Sequence, residues 1–184
     1  ANLGYGKSIL VLGGGAMGLL MTKLAMLSPI AKLAVADPHP EKRAMAMAFG
    51  AQAAFDPHAP DFFQQALAYS DDLGYDSVIE ASGSRSSSRI AFHLLARGGI
   101  LVYFGLYGMN YDLPLNLFNL YWKDAFVTAV YPAISMYQPA LELAPRLGLE
   151  EIITSEFPFE QAPAAFAQKA VGKDAKVILR LAGG

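Results

Sequence analysis

The chain predicts an α/β fold, a doubly wound parallel sheet with a small C-terminal α/β extension, and three observations carry that expectation. Short apolar, β-branched runs alternate with longer segments of helical period along most of the 184 residues. A glycine turn joins the first run to the segment after it, and an acidic residue closes the second run.

The first run, over 8–12, reads as a buried strand. Gly13-x-Gly15-x-x-Gly18 follows, and the segment GLLMTKLAML starting at Gly18 reads as a helix with an apolar face. The spacing has a mechanism. Gly13 permits a tight turn off the strand, Gly15 has no Cβ to block a pyrophosphate, and Gly18 lets the helix pack closely on the strand. The unpaired amides of the first helical turn, at Ala16 and Met17, then face the phosphates. Asp37 ends the run that begins at Lys32, nineteen residues after Gly18. That is where a carboxylate accepts from the adenosine ribose hydroxyls, so strand, glycines, helix and acid together predict a dinucleotide-binding Rossmann fold.

Asp37 also argues for NAD over NADP. A carboxylate beside a 2′-phosphate should cost about 2 kcal/mol or more in repulsion and a lost hydrogen bond. Lys42 and Arg43 stand close enough in sequence to soften this, but a helix over 41–49, closed by Gly50, is expected to turn them to solvent.

A short strand over 52–55, a helix over 61–68 and a buried strand over 75–81 come next, the last ending at Ser82-Gly83. A helix over 86–96 is expected to stop at Gly98-Gly99, and a strand over 100–104 leads to Gly105. Ligands of open α/β sheets bind outside the carboxyl ends of the strands. Gly13 to Gly18, Ala81 and Ser82 with Gly83, and Phe104 to Leu106 with Gly105 should therefore converge on one crevice. Between 107 and 120 no period stands out, and 122–131 reads as a strand. Phe126, Val127, Val130 and Tyr131 give it an apolar edge, which predicts homodimerisation along that strand. A helix over 136–147, a strand over 152–156, a helix over 161–170 and a strand over 175–181 complete the chain. Residues 1–131 are thus the expected dinucleotide-binding domain and 132–184 a C-terminal segment.

Composition narrows the classes. Hydrophobic residues make up 54% of the chain and charged ones 16%, which suits a sheet covered on both faces. A net charge of −2 leaves no basic footprint for nucleic acid. The sequence has no cysteine, which excludes a disulfide framework and any cysteine-ligated zinc within it and fits a cytoplasmic protein. The uncharged interval over 8–22 is too short for a bilayer, so no membrane partner is expected. His39, His58 and His93 have no ligand-like spacing, so no metal site is expected here. Ser82, Ser84, Ser86, Ser87 and Ser88 read as helix-capping material rather than as nucleophiles.

Two further stretches imitate other chemistries. Gly6-Lys7-Ser8 looks like the end of a phosphate loop but precedes its strand, and no tyrosine has lysine four positions later, as a short-chain dehydrogenase requires.

Taken in order, Gly6-Lys7-Ser8 through Gly15, Asp37 with Lys42-Arg43, Phe49-Gly50-Ala51, Tyr75 to Gly83, Gly98 to Gly105, the stretch from Ile153 to Pro158, Ala164-Ala165-Phe166 and the stretch from Lys173 to Leu179 resemble the cofactor half of the medium-chain dehydrogenase/reductase family. The zinc-type alcohol and sorbitol dehydrogenases are the nearest in pattern. The resemblance implies NAD-dependent oxidation of an alcohol or reduction of a carbonyl. It places Phe104, Gly105 and Leu106, with Ala129 and Tyr131, near the nicotinamide, and Lys176 near the pyrophosphate. It also implies a separate catalytic lobe that holds any zinc and the proton-relay residues. The chain begins at the first nucleotide-binding strand, so it is expected to be a fragment that binds a nucleotide and has no catalytic residues of its own. Two alternatives remain open: a non-catalytic NAD-sensing module, and a methyltransferase using S-adenosylmethionine. The second is disfavoured because Val11-Leu12 stand where an acid is usual.

Overall fold

A computed structural model describes residues 4–131 and 136–181. Strands β1 (Ser8–Leu12), β2 (Lys32–Ala36), β3 (Ala53–Phe55), β4 (Tyr75–Glu80), β5 (Leu95–Tyr103) and β6 (Phe126–Ala129) form one parallel sheet in the order β3-β2-β1-β4-β5-β6. Helices α1 (Ala16–Ala25), α2 (Pro40–Ala48), α3 (Phe62–Tyr69), α4 (Arg85–Ala91) and α5 (Leu117–Lys123) connect them. The strand order reverses between β1 and β4, which is the doubly wound topology and sets the crevice at their carboxyl ends.

Strand period two divides the core between the faces. Ile9, Val11, Leu33, Val35 and Ile79 pack with Leu19 and Ala25 of α1 and Ala46 of α2. Leu10, Leu12, Ala34, Ala36, Val78 and Leu101 pack with Phe62, Ala66, Ala91 and Phe92 on the other side. Each Val, Leu, Ile or Phe among them contributes about 1.5–3 kcal/mol when fully buried.

A second unit contains α6 (Tyr137–Leu147), β7 (Ile153–Pro158), α7 (Ala162–Ala170) and β8 (Lys176–Arg180), with β7 and β8 paired in parallel as a separate sheet. Its Ile152 and Ala175 join the α1 face of the main core, and Lys23 of α1 pairs with Glu151 at 2.6 Å. Asp174 ties the unit together. Its carboxylate accepts from Ser155 Oγ (2.6 Å), Thr154 Oγ1 (2.8 Å) and Gln168 Nε2 (2.9 Å). The Ser155 hydroxyl leads in holding this carboxyl below its usual range, against partial desolvation.

Two expectations fail here. The helix after Ser84 ends at Ala91, not at 96, and β5 starts at Leu95, not at 100. Lys123, which arrives from α5, donates to the carbonyls of Phe92 (3.2 Å), His93 (3.3 Å) and Leu95, so the chain turns where a longer helix was expected. Leu95 then pairs with Tyr75 while Ile100 pairs with Ser77, and the residues between them bulge out through Gly98 at φ +71°. The second failure is α5 itself, which takes Trp122 out of the expected strand. Asn116 caps it by accepting from Asn119 N–H at 3.1 Å, and Asp124 in the left-handed region ends it. No helix among the described residues is long and apolar enough to cross a membrane.

Candidate functional site

The glycine turn separates into three structural jobs. A Cβ on Gly18 would lie 1.7 Å from the Gly13 carbonyl oxygen, so only glycine lets α1 sit this close to the end of β1. Gly13, at φ +110°, would press a Cβ to 2.8 Å from the Ser82 amide nitrogen. A Cβ on Gly15 would meet nothing within 4 Å, so its smallness serves open space rather than packing.

Gly15 is also the N-cap of α1, with no capping side chain and no acid in the first turn. Leu19 N–H is the first amide to reach back, to the Gly15 carbonyl at 2.9 Å. The amides of Gly15, Ala16 and Met17 are left without a protein acceptor among the described residues, and the helix dipole adds positive potential there. An anion fits that position.

Asp37 stands beside it, buried at the end of β2. Its Oδ2 accepts from Gly14 N–H at 2.8 Å and its Oδ1 from His39 N–H at 2.9 Å. A carboxylate has about four acceptor positions, so one remains on each oxygen. Gly14 is squeezed between neighbours: a Cβ there would sit 3.1 Å from Asp37 Cβ and 3.2 Å from Lys42 Cβ.

Lys42 and Arg43 do not face solvent as expected. Lys42 is buried on α2 against the glycine turn. Arg43 Nη1 donates to the carbonyls of Asp37 (2.7 Å) and Pro38 (2.9 Å) and lies 3.2 Å from Asp56 Oδ2. The physical reason is that α2 starts directly after the end of β2, so that its inward positions put Lys42 against the glycine loop and Ala46 into the core. The spacing of Lys42 and Ala46 on one helical face was the available signal.

The other strand ends close the crevice. Ala81 N–H donates to the Leu12 carbonyl at 2.8 Å, and a Cβ on Gly105 would lie 2.4 Å from Gly83 N. Gly13, Ala81, Ser82, Gly83, Gly105 and Leu106 are thus contiguous, as the sequence spacing predicted. Leu106 is fully exposed and Phe104 half-buried. Ala129 pairs with Tyr103 at the end of β6, and Tyr131 is exposed. Lys176 stands at the start of β8 in the second sheet and is exposed.

Glu80, which the sequence places inside the strand expected over 75–81 with no role of its own, proves central. It is wholly buried. Its carboxylate accepts from the amides of Ser82 (3.0 Å) and Gly83 (3.2 Å) and from the hydroxyls of Ser82 and Tyr107. Burial first, and the bond to Glu80 second, push the Tyr107 phenol well above its usual pKa. The serines behave only partly as expected: Ser84 is the N-cap of α4 by position, but Ser82 serves Glu80 and Ser88 bonds Tyr111 at 2.8 Å. No cluster of metal-ligating side chains occurs among the described residues.

The family model "Zinc-binding dehydrogenase" matches residues 16–146, more than half of the chain. The chain belongs to the zinc-binding dehydrogenase family. Among curated members, D-xylulose reductase A of Aspergillus oryzae is 29% identical over 186 residues, covering 97% of this chain and 51% of its own length. Among solved members, the alcohol dehydrogenase of Thermus sp. ATN1 superposes with a TM-score of 0.88 at 25% identity, over 97% of this chain and 52% of its own. A Sinorhizobium meliloti protein solved bound to NADP gives the same TM-score at 23% identity, over 97% of this chain and 54% of its own, a likeness of fold. The chain spans about half the length of the family relatives it matches.

Proposed function

We propose that this chain is the NAD(H)-binding part of an alcohol or polyol dehydrogenase, and that residues 1–131 carry the cofactor. One observation carries the reading: unpartnered amides at the start of α1 adjoin a buried carboxylate that still has free acceptor positions. Gly13 and Gly18 shape the turn, Gly15, Ala16 and Met17 hold the pyrophosphate, and Asp37 accepts from the adenosine ribose. Ala81, Ser82, Phe104, Gly105 and Leu106 line the nicotinamide half, and Lys176 of the C-terminal segment meets the pyrophosphate from the second sheet. Bound there, the nicotinamide supplies hydride exchange with an alcohol or carbonyl carbon. The chain's own residues bind and orient; the substrate and any zinc belong to a catalytic lobe. A cytoplasmic setting is part of this reading, supported by the cysteine-free sequence.

Calorimetric titration with NADH, NADPH and S-adenosylmethionine tests it. NADH should bind tightest, and tight binding of S-adenosylmethionine alone would overturn the assignment.

The same reading includes a homodimer along β6. That strand ends the sheet, and Phe126 and Tyr131 are 63% and 90% exposed beside exposed Tyr121 and Trp122 of α5. An unpaired apolar edge of this kind favours pairing with a second copy. Sedimentation at micromolar concentration should give a dimer; a monomer refutes this part.

A further inference from the structure

Glu80 collects more hydrogen bonds than its place in β4 requires. Besides the four donors on its carboxylate, its main-chain carbonyl accepts from the amides of Phe104 and Gly105, both at 2.8 Å. One residue therefore gathers both loops that leave the carboxyl ends of β4 and β5. Tyr107 completes the join from the far side of the second loop. Its ring stacks on Tyr111 at 5.4 Å and meets Tyr103 edge-on at 6.2 Å, while Tyr103 donates to the Ser88 carbonyl at 2.9 Å. The two loops cannot shift independently, since Gly83 and Gly105 touch without room for a Cβ on either.

In a doubly wound sheet the dinucleotide crosses the switch point, one mononucleotide over each half. The glycine turn and Asp37 belong to the β1–β2 half. Glu80 and Tyr107 belong to the other half, over β4 and β5.

We propose that Glu80 and Tyr107 are positioning residues for the nicotinamide half of the cofactor: their bond fixes the loops at 81–84 and 104–107 as one surface against which that half is oriented. The proposal rests on the dinucleotide reading given above. Neither side chain needs to touch the cofactor, because both act through the backbone of Ser82, Gly83, Phe104 and Gly105. A carboxylate buried only to complete the fold would treat both halves of the ligand alike, and this is where the two roles part.

The test compares NADH with ADP-ribose, which keeps the adenosine, pyrophosphate and second ribose but lacks the nicotinamide. Calorimetry on the full chain, wild type against Tyr107→Phe, should show about a five- to tenfold weaker NADH affinity, with ADP-ribose affinity within about twofold. Tyr107→Phe removes one hydroxyl at a half-buried site, so folding is retained. Glu80→Gln should widen the same split in whatever fraction folds. Hydrogen exchange gives a second readout, in which the Ser82, Gly83 and Gly105 amides should exchange faster in Tyr107→Phe while those of β1 and β2 are unchanged. An equal loss for both ligands, or no loss for either, overturns the proposal. Failure of the wild-type chain to bind either ligand is a different outcome, because it removes the dinucleotide reading itself and this inference with it.

Discussion

Asp37 and Glu80 are both buried carboxylates at the carboxyl ends of strands in the same sheet, and they are used in opposite ways. Asp37 takes two backbone amides and keeps an acceptor position on each oxygen, whereas Glu80 takes two amides and two hydroxyls and keeps none. The amides around them follow suit. Those at the start of α1 are left open, while those after β4 and β5 are consumed by Glu80. One half of the crevice thus keeps hydrogen-bonding positions open, and in the other they are taken up by the protein itself. Residual hydrogen-bonding capacity, more than burial or charge, is what separates the two carboxylates, and the ligand-binding role proposed for Asp37 rests on it.

The contrast can be broken most severely at the glycine turn. Gly18→Ala puts a methyl into the Gly13 carbonyl and should destabilise the fold by more than about 3 kcal/mol in urea unfolding. Gly15→Ala, facing open space, should leave stability within about 0.5 kcal/mol yet weaken NADH binding. Next in size, Glu80→Gln leaves buried donors unpaired and should cost about 2–3 kcal/mol, whereas Asp37→Asn should cost about 1 kcal/mol. Equal costs would erase the distinction between the two acids. Asp37→Ser should lower the preference for NADH over NADPH by about 2 kcal/mol, roughly thirtyfold, and an unchanged ratio would remove the role assigned to Asp37.

The smallest effect lies away from the crevice, in the pH dependence of the C-terminal unit. Asp174 has a folded pKa below its unfolded value, so its stabilisation is present above the usual carboxylate range and is lost as pH falls through the folded value. Acid unfolding monitored by circular dichroism should therefore begin below about pH 4. Asp174→Asn should flatten that dependence.

What could be read beforehand follows from where each signal resides. The turn from β1 into α1 was legible because its glycines answer to local backbone and packing demands that leave a spacing in the chain. Asp37 was legible by its distance from that turn. The end of α4 was not, because the group that stops it is an ammonium 28 residues beyond Leu95. Helix α5 was hidden by apolar side chains on its solvent side, Leu117, Phe118, Tyr121 and Trp122, although Asn116 before it was a capping signal. Glu80 passed as one more residue of the strand expected over 75–81, since nothing in local periodicity announces that Tyr107 will return to it. Lys42 was assigned outward because a charged residue early in a helix ordinarily is.

Helix α1 is about 15 Å long, ten residues at helical rise. Its first turn carries the open amides, and its last turn holds Lys23, bonded to Glu151 beside the buried Ile152 of the C-terminal unit. On the cofactor reading proposed above, the amides that would meet the pyrophosphate and the contact with the C-terminal unit thus lie at the two ends of one short helix.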